Sequence, residues 1–170
     1  KMLIQNYAHL TLSTMNLVDN TDHILYALSN NSGNVNLVDK TNITTDAVAF
    51  DVYDYSSAGY EVPKVNVSTT GKITGAIEVS ESISNNLNIS AGTFTVEIAE
   101  AWCADGFIPK DNGDGTYGVE LGVFVARVNG KGYTTSNAAI EAAQAGETVT
   151  ILAGNYEQNL NINKAITVVG

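Results

Sequence analysis

The chain has 170 residues, of which 44% are hydrophobic and only 15% are charged, and its formal net charge at pH 7 is −10. Its basic residues are scattered singly, which excludes a nucleic-acid-binding role based on clustered Lys and Arg. Cys103 is the single cysteine, which excludes an internal disulfide, and no apolar run approaches the roughly 20 residues needed for membrane insertion as a helix.

An imperfect repeat runs through the first part of the chain. Four segments each open on an apolar-x-apolar pair: Leu10/Leu12, Val35/Leu37, Val65/Val67 and Leu87/Ile89. The pairs are separated by 25, 30 and 22 residues, and further short strands are predicted between them at 24–28, 48–52 and 76–79. Side chains two apart share one face of a strand, so a single unit offers an apolar side that it cannot bury alone. Units stacked in parallel bury that side, and the pattern therefore predicts a parallel β-helix.

Three other architectures share part of this pattern. Leucine-rich repeats have a similar period, but their Leu-rich signature with a closing Asn is absent here. Helical repeats are excluded because the apolar residues alternate with a period of two. A twisted β-sandwich also uses short strands, but the repeat register and the absence of obvious two-residue hairpins before residue 110 favour the solenoid.

The segment "DVYDYSSAGYEVP" at 51–63 is the best candidate for contacting a ligand. It belongs to the longest repeat unit, so part of it is expected to leave the solenoid as a loop. Exposed tyrosines beside carboxylates can stack on a sugar ring and hydrogen-bond its hydroxyls. The alternative is structural, with some of the rings covering the edge of the coil and Pro63 ending the loop. The candidate ligand-binding residues are Tyr53, Tyr55, Tyr60, Asp51 and Asp54.

The repeat stops at "EIAEAWCADGFIP", residues 97–109. Its large apolar residues Trp102 and Phe107 indicate a plug over the end of the solenoid, where open strand edges would otherwise invite association. Cys103 lies in the same apolar stretch and is expected to pack as a small hydrophobic residue.

Hairpins, a helix and short strands follow the plug. Two hairpins are predicted, with turns at 112–115 and at 129–130, because Asn-Gly and Asp-Gly pairs adopt the positive φ of tight turns. "SNAAIEAAQAG" is the one convincing helix, capped by Ser136 or Asn137 and ended by Gly146. Three alternating runs after it predict strands, at Val149/Ile151, Leu160/Ile162 and Ile166/Val168.

The segment "AIEAAQAGETVTILAGNYEQNLNINKAITVVG" resembles the opening of pectate-lyase-like, right-handed parallel β-helix domains, in which a short helix caps the first turn. The residues that carry this resemblance are Gly146, Glu147, Thr148, Val149, Gly154, Tyr156, Lys164, Ile166, Thr167 and Gly170. Earlier stretches, including "GKITGAIEVS" and "LNISAGTFTVEIAEAWCADGFIPKDNGDGTYGV", are similar to repeats in large adhesin-type surface proteins of anaerobic bacteria. The resemblances imply fold and location more than chemistry, because this fold hosts lyases, glycosidases, adhesins and inert stalks.

These observations predict an all-β chain, a right-handed parallel β-helix with a β-hairpin linker and one short capping helix. Residues 1–105 are expected to form the C-terminal turns of one β-helix with its end plug. Residues 106–135 would form the hairpin linker, and 136–170 the capping helix and first strands of a second β-helix. Because the chain begins at Lys1 without a signal peptide, we expect a mature or excised piece of a longer protein.

Catalysis within the chain is not expected. The family resemblance implies that lyases of this fold use carboxylates to hold Ca²⁺ and an Arg or Lys as base. Arg127 is the single arginine, and it lies in the predicted hairpin segment rather than on a central coil. Glycosidases need carboxylates close together, but the densest ones are expected on different parts of a coil: Asp39, Asp46, Asp51 and Asp54.

Metal and cofactor sites are not predicted either. The strongest metal candidate is "DNGDG", where Asp111 and Asp114 resemble the start of a calcium loop, but the twelfth position holds Gly122 instead of the ligating Glu. The hairpin turn explains the same residues more simply. His9 and His23 have no partner at a metal-binding spacing and are interpreted as ordinary surface or edge residues.

The leading hypothesis is a non-catalytic segment of a large extracellular or bacterial cell-surface protein, acting as an adhesin or its stalk. Its partner would be a host or cell-surface glycan or protein, and the open C-terminal strand could support self-association. One alternative is a fragment of a polysaccharide lyase or glycoside hydrolase whose catalytic coils lie outside this chain. Another is a segment of a phage tail fibre or spike.

Overall fold

The computed structural model describes residues 1–19 and 24–170 and divides the chain into two compact units, Lys1–Glu120 and Leu121–Gly170. The first unit is a parallel β-solenoid of about four turns, which confirms the predicted fold class. The division falls inside the segment 106–135 that the sequence assigned to a linker, so the first hairpin belongs to the first unit and the second hairpin to the second.

The solenoid unit is built from short strands and a few longer strands that bend through two or three sheets. The strands of this part of the chain are β1 (Met2–Asn6), β2 (Leu10–Ser13), β3 (Asn16–Val18), β4 (Tyr26–Asn30), β5 (Asn34–Val38), β6 (Asn42–Val52), β7 (Lys64–Val79), β8 (Leu87–Phe94), β9 (Phe107–Asp111) and β10 (Tyr117–Leu121). Alternating apolar residues with many β-branched side chains suit this pleated, one-side-buried geometry.

Parallel pairing stacks the coils on three sides, here called sheets I, II and III. Sheet I stacks β2, β5 and the first halves of β7 and β8. Sheet II stacks β3 with the first part of β6, the middle of β7 and the end of β8. Sheet III stacks β1, β4 and the last parts of β6 and β7. Each coil therefore passes through the three sheets in the same order.

The apolar pairs of the repeat lie directly above one another, as predicted. In sheet I, Leu12 pairs with Leu37, Leu37 with Val67, and Val67 with Ile89. In sheet III, Leu28 pairs with Phe50 and Phe50 with Ile77. These columns, together with Ile43 and Ile73 from sheet II, form one buried core. Burying a whole aliphatic side chain stabilises the fold by about 1.5–3 kcal/mol, so the columns supply most of the driving force.

Threonine and asparagine side chains bond one coil to the next at the corners. Thr41 donates its backbone N–H to the Thr69 hydroxyl at 2.9 Å, and both side chains are buried. Gly71 follows at the same corner, where a Cβ would collide with the Thr41 carbonyl oxygen. Asparagines also stack between coils: the Asn66 amide donates to the Asn36 amide oxygen at 3.0 Å.

The segment 97–109, which the sequence analysis interprets as a plug, packs on the last coil of the solenoid. Cys103 is buried and forms a parallel bridge with Ile89, which places the segment around it as a further layer on sheet I. Trp102 and Phe107 pack against the core. The first predicted hairpin is present as β9 and β10, and β10 pairs antiparallel with β8 through Tyr117.

The second unit is a small sheet with one helix. The second predicted hairpin is confirmed, turning at 129–130. Its elements are β11 (Ala126–Val128), β12 (Lys131–Tyr133), α1 (Ser136–Ala142), β13 (Thr148–Ile151) and β14 (Thr167–Val169). The strands pair in the order β12-β11-β13-β14, and β13 and β14 are parallel. Helix α1 places Ala139 and Ile140 in the core with Val149.

The predicted helix ends were wrong by one to a few residues. The N-cap is Thr135, with an extended backbone and a side chain that accepts the Ala138 N–H at 3.1 Å, instead of Ser136 or Asn137. The helix ends at Ala142 and not at Gly146, because Ala143 is already extended and the Lys164 ammonium binds the carbonyls of Glu141 and Ala143.

The predicted strand at Leu160/Ile162 is not formed, and both side chains are exposed. The backbone there is bonded to the helix instead. Asn137 accepts from the Asn161 N–H at 3.0 Å, and its amide donates to the Asn159 carbonyl at 2.9 Å. A side chain therefore takes the place of a strand neighbour.

The stacked columns predict the effect of a core truncation. Leu37→Ala, in the middle of the sheet I column, is expected to lower the free energy of unfolding by about 2–5 kcal/mol, because it leaves a cavity between Leu12 and Val67. Urea unfolding measures this loss. The control Leu25→Ala removes an equally large but 63% exposed side chain and should change stability by less than about 0.5 kcal/mol. Equal losses in the two variants would contradict the column arrangement.

Candidate functional site

Four tyrosine rings cluster on the surface of the solenoid unit and form what we call the tyrosine platform: Tyr7, Tyr53, Tyr55 and Tyr60. Tyr55 and Tyr60 stack with ring centroids 5.5 Å apart and planes 16° apart. Tyr7 lies 5.0 Å from Tyr60 and 6.4 Å from Tyr55, and Tyr53 lies 6.0 Å from Tyr55. The three tyrosines singled out by sequence are therefore brought together, and a fourth joins them.

Sheet III determines the position of two of these rings. Side chains of Ile4, Leu28 and Phe50 point inward, so the residues one position on, Gln5, Ser29 and Asp51, point outward. Two positions further along the same face come Tyr7 and Tyr53. The backbone ladder continues this far, with the Asn31 N–H bonded to Asn6 and the Tyr53 N–H bonded to Asn30.

Tyr7 was missed by sequence reasoning. The signal that could have identified it is the alternation in "MLIQN", which places Ile4 in the same column as Leu28. If the register of these strands is continued past the end of β1, Tyr7 comes next to Asn31 and in line with Tyr53.

The other two rings come from the loop that carries the additional residues of the longest coil. Asp54 fixes the start of this loop to the next coil: its N–H donates to the Ser80 hydroxyl, and its carboxylate accepts from the Ser82 hydroxyl, both at 3.0 Å. A 3₁₀ turn at Ser56–Ala58 follows, and Gly59 takes the left-handed conformation, with φ of 85°, that ends it. The loop closes at Pro63, whose carbonyl accepts from Asn86 at 2.9 Å.

Charged groups border the platform on two sides. Hydrogen bonds from Ser56, first its side chain and then its backbone, lower the pKa of Asp54 below its ordinary value, so this exposed carboxylate is ionised at neutral pH. Glu61, next to Tyr60, faces His9 at 3.6 Å. His9 accepts the Asn34 N–H at Nδ1, which leaves its Nε2 proton directed towards Glu61.

Asp51 differs from the exposed carboxylates because it is only 7% exposed. Its register neighbours on sheet III are Ser29 and Glu78. Burial, followed by the charge of Glu78, raises the pKa of Asp51 to about 6 although Ser29 donates a hydrogen bond to it. Glu78 and then burial raise the pKa of Tyr26 on the same sheet. Oδ1 of Asp51 has no hydrogen-bond partner among residues 1–19 and 24–170.

The two metal candidates, Asp111 and Asp114, have hydrogen-bonding roles in a turn. Asp111 accepts the Gly113 N–H at 2.8 Å, and Asp114 accepts the Thr116 N–H at 3.0 Å. Both carboxylates thus hold the hairpin turn, in agreement with the simpler interpretation of this segment. Within the described ranges, three or more His, Cys, Asp or Glu residues do not gather into a metal-binding group. His23 lies outside the described residues.

The motif residues of the second unit have structural roles. Glu147 accepts from the Gln144 N–H at 2.8 Å and from the Asn129 amide at 2.7 Å. Both bonds lower the pKa of Glu147, and the bond from Gln144 has the larger effect. The Tyr156 hydroxyl donates to the Ala153 carbonyl, and a Cβ at Gly154 would collide with the Tyr156 ring. Lys164 binds the end of α1, as described above. These contacts give structural roles to four of the motif residues, Glu147, Gly154, Tyr156 and Lys164.

Comparison of the chain with protein-family models, with curated proteins and with solved structures found no match. Among the residues that the structure describes, no helix has the length and apolar character needed to span a membrane.

The burial of Asp51 predicts a pH effect on stability. A raised pKa means that folding favours the protonated acid, so its contribution is largest below the unfolded pKa of about 3.8 and is lost as pH rises through about 6. Between roughly pH 3 and pH 7, wild type is therefore expected to lose up to about 3 kcal/mol of unfolding free energy relative to Asp51→Asn.

Urea unfolding of the two proteins at several pH values measures this difference. Asp46→Asn is the matched control, since Asp46 is exposed, and its profile should run parallel to that of wild type. A parallel profile for Asp51→Asn would instead show that Asp51 ionises without penalty.

Proposed function

We propose that the chain is a non-catalytic segment of an extracellular or cell-surface β-helix protein, of the adhesin or adhesin-stalk type, and that it binds carbohydrate through the tyrosine platform. The observation that carries the proposal is the gathering of four half-exposed rings from two coils at one corner. Their exposed fractions are 40% for Tyr7, 50% for Tyr53, 39% for Tyr55 and 44% for Tyr60.

The exposure of the rings supports a binding role more than a covering role. Rings that only cover the corner of a coil would bury most of their surface against it, as Phe50 and Phe94 do within the core. The platform rings instead pack mainly on one another and leave between a third and a half of their surface to solvent. Monomeric soluble proteins that keep large apolar groups together on the surface commonly use them for recognition.

The chemistry of the corner suits a polyhydroxylated ligand. Aromatic faces provide apolar contact for the C–H face of a pyranose, and tyrosine hydroxyls and carboxylates accept or donate hydrogen bonds to its hydroxyls. Asp54 and Glu61 are the carboxylates next to these rings in the chain, and carboxylates are strong hydrogen-bond acceptors. The bonds of Asp54 to Ser80 and Ser82 fix the start of the loop to the next coil and so help to hold the rings in place.

A glycan array tests the proposal. Wild type is expected to bind a subset of immobilised glycans, and Tyr55→Ala/Tyr60→Ala should lower the affinity for them at least tenfold, because each ring would supply more than about 1 kcal/mol of contact. Tyr55→Phe/Tyr60→Phe keeps the stacked faces and should retain most of the binding.

Tyr156→Ala is the matched control, since Tyr156 is 37% exposed and lies in the other unit. Urea midpoints establish that each variant is folded. The proposal fails if wild type binds no glycan, or if Tyr55→Ala/Tyr60→Ala and Tyr156→Ala bind as wild type does.

A further inference from the structure

The charge around the tyrosine platform narrows the class of ligand, and this step rests on the function proposed above. Asp54 sits in the chain between two platform rings, and Glu61 adjoins a third. Glu61 is exposed and Asp54 is partly exposed, and the Asp54 carboxylate is held in place by Ser56 and Ser82. The segment that carries three of the rings therefore also carries two carboxylates.

Two further carboxylates stand on the same outward face of sheet III. Asp51 is two residues before Tyr53, and Glu78 is its register neighbour on the next coil. The Asp51 side chain is more than nine-tenths buried, and one of its oxygens has no partner among the described residues. Whenever Asp51 is ionised, its charge is poorly screened by water and adds to the negative potential at this corner.

The loop carries more negative than positive charge. Residues 53–64 contain two carboxylates, Asp54 and Glu61, and one lysine, Lys64, which begins the strand after the loop. The net charge of the full sequence is −10, which has the same sign. The negative faces of the tyrosine rings act in the same direction, because a cation above an aromatic face is attracted by its quadrupole.

We propose that the tyrosine platform selects glycans built from amine-bearing sugars, whose protonated amine lies over the rings between Asp54 and Glu61. A neutral N-acetylated sugar offers the same C–H face without the cation, and a uronate or sulfated sugar is repelled. The acetylated and free-amine forms of one sugar therefore separate charge recognition from ring stacking.

Matched glucosamine and N-acetylglucosamine oligomers of equal length are the probes, measured by titration calorimetry at about pH 6, where the amine is protonated. The free-amine oligomer is expected to bind about fivefold or more tightly than the acetylated one. Oligogalacturonate should bind more weakly than either. About 0.5 M NaCl should remove most of the preference, since exposed charges are screened.

Asp54→Asn/Glu61→Gln should bring the two oligomers to nearly equal affinity while leaving the rings in place. The amide oxygen that this variant introduces at position 54 can still accept the Ser56 N–H, so the loop is retained. Asp46→Asn/Glu97→Gln removes the same charge from exposed positions outside the platform and should keep the preference. Equal binding of both oligomers to wild type, or equal effects of the two double variants, would overturn the proposal.

These results separate the two levels of inference. If both oligomers bind equally and Tyr55→Ala/Tyr60→Ala loses them, the platform binds sugars but does not select amines, and only this inference fails. If wild type binds neither these oligomers nor any glycan on the array, the proposed function fails and takes the inference with it.

Discussion

The structure of the first unit depends on one constraint, the in-register stacking of inward side chains on successive coils. Leu12, Leu37, Val67 and Ile89 form one column although their coils differ in length by up to eight residues. Register is strict because a one-residue slip would turn every inward side chain towards solvent. Differences in coil length are therefore absorbed outside the sheets, at the corners.

The corners satisfy polar groups that the aliphatic columns cannot. Asn6 donates to Asn30 at 2.8 Å, and Asn30 donates to the Lys64 carbonyl at 3.0 Å, so a short chain of buried amides crosses three coils between sheets III and I. Thr41 and Thr69 do the same between sheets I and II. Asp51 departs from this pattern. One oxygen of its buried carboxylate has no hydrogen-bond partner among the described residues, which lowers the stability of the fold.

Much of the solenoid was predictable because its signal is local and repeated. The apolar pairs, the plug around Trp102 and both hairpin turns follow from period-two alternation and from turn chemistry. The errors concern competition between partners that the sequence does not rank. Thr135, Ser136 and Asn137 are all good caps, and the backbone angle at Thr135 decides among them. Ile162 alternates like a strand residue, but Asn137 captures the neighbouring backbone. Tyr7 joined the platform through a pairing 24 residues away in sequence, between β1 and β4, which the pattern within each segment alone does not reveal.

The longest coil shows how such a scaffold can acquire new specificities. Residues 53–63 leave and rejoin the wall at one corner, while the flanking pairs Asn30/Val52 and Asn34/Lys64 keep their alignment. The additional residues of this coil are thus separate from the stretches that form the sheets. A loop of another length or composition at this corner would leave the tube intact and, under the proposed function, would change the ligand, in the way that hypervariable loops are exchanged on an antibody framework.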